Sequence, residues 1–171
     1  MSTHAFTKRA LLLALAIVPL LTSPARADEH TPTPELNAKA GLAVKGYDPV
    51  AYFTRHKAVK GDPAYSYAWS GVTWRFASAE DRDLFIASPA RYAPQYGGYC
   101  AFAISRDLIA DISPKSWAVV DDKLYLNNNP FAQKLWQADR SHNVTVGDRN
   151  WAAYPKTPIA TAADAAPAKE G

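Results

Sequence analysis

The chain has 171 residues, 48% hydrophobic and 12% aromatic, with one cysteine and a formal net charge of +3. That length is enough for one domain with a real core, and a single cysteine excludes an internal disulfide. Lys8, Arg9 and Arg26 lie in the first 27 residues, which hold no acid. Without that stretch the chain balances 16 basic against 16 acidic groups, which gives no support to nucleic-acid binding or to an electrostatic membrane surface.

The first 27 residues read as a secretory signal peptide. Lys8-Arg9 form a short basic region, and Ala10 to Leu21 is an apolar run too short to span a bilayer. Ala25-Arg26-Ala27 is a small-x-small cleavage signal. Cleavage after Ala27 implies a periplasmic or secreted protein, with no stable membrane insertion afterwards. Residues 28–40 carry Pro32 and Pro34 and are expected to be a flexible lead-in; 157–171 are rich in Ala, Pro and Thr and are expected to be a disordered tail. All the aromatic residues after the leader fall between Tyr47 and Tyr154, so the domain is placed at 41–156.

Within it, Gly46-Tyr47-Asp48-Pro49 predicts a turn into a short extended or helical piece, Val50 to Phe53, with Asp48 closing the turn. Arg55 to Pro63 reads as a loop. Tyr65, Tyr67 and Trp69 alternate with small residues, and Thr73 to Phe76 returns after Gly71, a β-hairpin. Ser78 caps a helix with Asp81 as its acidic partner three residues on, and Leu84 and Phe85 supply its buried side. Ser88-Pro89 opens a second helix that carries Tyr92. Gly97-Gly98 predicts a sharp turn, followed by a strand, Tyr99 to Ile104. Trp117 to Val120 and Leu124 to Leu126 flank Asp121-Asp122-Lys123 as a second hairpin, and Asn129-Pro130 opens a helix through Leu135 and Trp136. A polar helical or irregular segment reaches Trp151. The class is α+β, small antiparallel hairpins with helices packed beside them. Trp69, Trp74 and Trp117 are expected in the core.

Gly46-Tyr47-Asp48-Pro49-Val50, Trp74-Arg75-Phe76-Ala77-Ser78, then Phe85, Pro89 and Tyr92, and finally Tyr96-Gly97-Gly98-Tyr99-Cys100-Ala101 form an ordered series. The series resembles the YHS domain family, and within it the exported, stand-alone bacterial proteins, over roughly Ala43 to Trp151. The resemblance implies a treble-clef-like core with a C-terminal extension. It also implies metal handling, because short YHS domains occur on metal-handling proteins with cysteines at the positions of Ala51, Ala77 and Asp81. All three cysteines are absent here.

Three functions follow. The first is periplasmic copper or zinc handling through Cys100, with Asp48, a tyrosine or water completing the donor set, or a metal-handling protein partner supplying it. His30, His56 and His142 are the only histidines after the leader, and the latter two lie in polar stretches that suit a solvated side chain. The second is a metal-free small-ligand or protein-interaction module whose pocket is lined by Tyr47, Tyr96, Tyr99 and Cys100. The third is a thiol enzyme, for which Cys100 needs a base that no spacing motif supplies. Against all three, a lone cysteine beside Ala101 and Phe102 is commonly a small buried hydrophobe.

Overall fold

The computed structural model describes residues 33–157. The signal peptide, His30 and almost all of the expected tail lie outside the described residues. None of the described helices is long and apolar enough to cross a membrane.

The fold is α+β. In chain order it runs β1 (Thr33–Pro34), β2 (Ala38–Lys39), β3 (Leu42–Ala43), α1 (Ala51–Thr54), β4 (Asp62–Trp69), β5 (Val72–Phe76), α2 (Ala79–Ala87), α3 (Pro89–Tyr92), α4 (Ala101–Ile104), β6 (Ser113–Val120), β7 (Lys123–Asn127), α5 (Pro130–Ala138), α6 (Arg140–Ala153) and β8 (Lys156–Thr157). One sheet has the order β2-β3-β5-β4, β6 and β7 form a two-stranded ribbon, and β1 pairs in parallel with β8.

Both hairpins follow from two-residue turns whose residues have positive φ. Ser70 and Gly71 (φ 49° and 74°) join β4 to β5, and Asp121 and Asp122 (50° and 56°) join β6 to β7. Turns of this hand match the twist of the strands they connect, and glycine and aspartate tolerate them. Along β4 the rings of Tyr65, Tyr67 and Trp69 are half-buried while the residues between them are exposed, the period of two that the sequence carries. Ser78 caps α2 by accepting from the Asp81 N–H at 3.2 Å, and Asn129 caps α5 from the Ala132 N–H at 2.9 Å.

Five expectations need correction. Leu84, expected on the buried side of α2 beside Phe85, is exposed, and Phe85 alone of the two is buried. Tyr99 to Ile104 is not a strand. Cys100 makes one isolated parallel bridge with Leu126, and the chain then turns into α4. Ala101-Phe102-Ala103-Ile104 is apolar throughout, so its period could not separate helix from strand. Asn127, arriving from β7, settles the matter: its Oδ1 accepts the Phe102 N–H at 3.1 Å and so satisfies a free donor of the first helical turn. The lead-in is partly structured: β1 and β2 lie in it, and Leu36 is buried. Asp62 and Pro63, assigned to a loop, begin β4. Trp74 is buried as expected, but Trp69 and Trp117 are only half-buried.

The core has two parts. In one, Trp74, Phe76 and Phe85 pack with ring centroids about 5 Å apart, beneath Val50 and Tyr52. In the other, Tyr96, Tyr99, Ile104, Tyr125 and Trp136 gather between β7 and α6. Cys100 belongs to the first, and its neighbours Tyr99 and Ala101 belong to the second.

Candidate functional site

Asp48 stands where the Asp-Pro turn meets α1, and it is fully buried. Its Oδ1 accepts the N–H groups of Val50 (2.8 Å) and Ala51 (3.3 Å), and its Oδ2 accepts that of Ala77 (2.8 Å). Burial, reinforced by a hydrogen bond to the carboxyl of Asp81, pushes Asp48 up to about 7, although the Ala77 and Val50 N–H groups pull the other way. Asp81 is also buried and pairs with the Arg55 guanidinium at 2.5 Å. The acidic partner expected beside the Ser78 cap therefore reaches away from its own helix, to Arg55 and Asp48. Ala51, Ala77 and Asp81, the positions at which the resemblance implied cysteines, do converge around Asp48. What fills the space is a carboxyl pair, Asp81 ion-paired with Arg55 and Asp48 held toward its protonated form.

Cys100 is 1% exposed. Its Sγ accepts the Asn128 N–H at 3.3 Å and its thiol donates to Asn127 Oδ1 at 3.9 Å, while its own N–H donates to the Ala110 carbonyl. Neither asparagine is a base. His56 and His142 are exposed, and among the described residues no group of three or more His, Cys, Asp or Glu side chains comes together. Copper needs two or three soft donors and zinc four. Asp48 and Cys100 belong to separate hydrogen-bonded networks.

The tyrosines are also dispersed. Tyr47 pairs with Lys60, whose ammonium lies 4.9 Å over its ring. Tyr99 is buried against Trp151 at 5.9 Å. Of the four residues assigned to a pocket, Tyr96 borders an open cleft of about 370 Å³ that also has Glu35, Leu36, Trp69, Pro94, Gly97, Asp148, Trp151 and Lys156 in its walls.

Three segments build this cleft. Tyr96, Gly97 and Gly98 all have positive φ (55°, 59° and 78°), so the chain turns sharply under it. A Cβ at Gly97 would lie 2.0 Å from the Glu35 carbonyl oxygen, so only glycine lets residues 35–37 lie against the turn. Asn37 fastens them by donating from its backbone to Gly97 O (2.8 Å) and from its side chain to Gly98 O (3.1 Å). The third wall is α6. Gly147 lets Tyr96 approach, since a Cβ there would lie 2.7 Å from its hydroxyl. That hydroxyl donates to Asp148 Oδ1 at 3.0 Å, and burial, together with the Asp148 charge, keeps the phenol protonated well above its ordinary range. Trp151 stands one turn beyond Asp148, with Tyr96 at 6.3 Å.

Sequence reasoning missed Glu35, Asp148, Trp151 and Lys156 as site residues. The i, i+3 spacing of Asp148 and Trp151 was the available signal; Glu35 and Lys156 sit in segments read as linker or domain edge. Set against family models, curated proteins and solved structures, the chain finds no match in any of the three comparisons.

Proposed function

We propose that this is an exported, YHS-type binding module that works without a metal and takes a small organic ligand in the cleft beside Gly97. One observation carries the reading: Trp69, Tyr96 and Trp151 line an open space whose walls also include Glu35 and Asp148. Aromatic walls with a few placed polar groups suit small ligands. The buried, hydrogen-bonded thiol of Cys100 then serves the core.

The test is an NMR titration of residues 28–171 with indole, benzylammonium and phenylacetate, and separately with Cu(I) and Zn(II) under reducing conditions. The expected result is movement of the Trp151 indole and Gly97 amide signals with at least one organic probe, unchanged in Cys100→Ser. Stoichiometric metal binding that Cys100→Ser abolishes, with no organic probe moving these signals, would overturn the reading in favour of metal handling.

A further inference from the structure

The cleft already holds one ligand-like group, the chain's own Lys156. Its ammonium lies 4.7 Å from the Trp151 ring centroid and donates to the carbonyls of Trp151 (2.5 Å) and Tyr154 (3.3 Å). Such a position suits a cation, because the face of an indole is electron-rich. Glu35 and Asp148 are the acidic residues that line the cleft, against this single lysine. The charge the cleft favours beyond Lys156 is therefore positive. Lys156 is exposed and belongs to neither part of the core, so its side chain can leave without disturbing either.

We propose that the cleft recognises a primary alkylammonium group, and that Lys156 is a tethered occupant which an incoming amine displaces from Trp151. The incoming ammonium takes the carbonyls and the ring face, its apolar stem lies along Leu36 and Pro94, and Glu35 and Asp148 balance its charge. An amine that competes with a tethered copy of itself binds more weakly by the fraction of time the site is free, so Lys156 sets the concentration at which the module responds. This inference rests on the cleft being the binding site.

The experiment titrates n-butylammonium, n-butanol and butyrate into the whole mature chain and into Lys156→Met, following the Trp151 indole signal. Methionine keeps the apolar stem and removes the charge. Butylammonium is expected to bind Lys156→Met about tenfold more tightly than wild type, with butanol and butyrate weaker than butylammonium in both proteins. Glu35→Gln, at an exposed position, is expected to weaken butylammonium alone. Equal binding of butanol and butylammonium would overturn the ammonium inference and leave the cleft reading standing. Tighter binding of butyrate in wild type, lost in Lys156→Met, would overturn it by making Lys156 the anchor of an anionic ligand. Silence from all three probes in both proteins would overturn the inference, and silence from indole, benzylammonium and phenylacetate as well would overturn the cleft reading.

Discussion

Asp48 concentrates three backbone hydrogen bonds and a second carboxyl in a space without solvent. Its ionisation is therefore linked to folding. The unfolded side chain titrates near 3.8 and the folded one near 7. Between those values the folded state alone keeps the proton, so the free energy of unfolding falls as pH rises from about 4 to about 7 and levels off above. Asp48→Asn removes this titration. Melting temperatures at pH 4.5 and 7.5 are expected to differ less in Asp48→Asn than in wild type; an equal difference would show that another group carries the linkage. The Asp-Pro pair disclosed the turn because the proline's fixed φ and the aspartate's reach act within four residues. Arg55 and Asp81, 26 positions apart, carry no local signal of their pairing.

At the scale of the element, the hairpins were legible and α4 was not. A hairpin closes through its own turn, so Ser70-Gly71 and Asp121-Asp122 declare it. The fate of Ala101–Ile104 depends on Asn127, 25 positions beyond Phe102. The tryptophans divide along the same line. Trp74 is 1% exposed, lies 4.9 Å from Phe85 between ring centroids, and donates from Nε1 to the Trp69 carbonyl. Trp74→Ala is expected to cost about 3–5 kcal/mol of stability. Trp117 is half-buried and leans on Tyr52 at 5.1 Å, so Trp117→Ala costs less. Denaturant unfolding of both variants checks the order, and an equal or reversed loss would refute it. Trp74 alternates within β5, and alternation fixes a face without revealing how much chain covers it.

Across the whole molecule, the cleft forms where the beginning and end of the described chain meet. Residues 35–37 lie over Gly97-Gly98, and β1 joins β8 beside them. Gly97→Ala places a methyl group against the Glu35 carbonyl at a positive φ, and is expected to destabilise the protein by about 1–3 kcal/mol. It also frees the Asn37 amide, which donates to Gly97 O in the folded chain. Hydrogen exchange reads both effects; an Asn37 amide as protected as in wild type would refute the clamp. Composition had assigned residues 28–40 to a flexible segment because they are polar and contain prolines. Leu36 is nevertheless buried and Asn37 bonded, since the glycine pair offers carbonyls that a chain with side chains there could not approach.

The sequence by itself determined the α+β class, both hairpins, the helix caps at Ser78 and Asn129, and the turn at Gly97-Gly98. Each of these rests on residues within a few positions of one another. Tertiary structure alone decided the helical state of α4, the pairing of Asp48 with Asp81 and of Asp81 with Arg55, the burial of Cys100 between Asn127 and Asn128, and the cleft that joins Glu35, Tyr96, Asp148, Trp151 and Lys156. Those features bring together groups tens of residues apart, and pairings at that range are set by which surfaces the packed core leaves in contact.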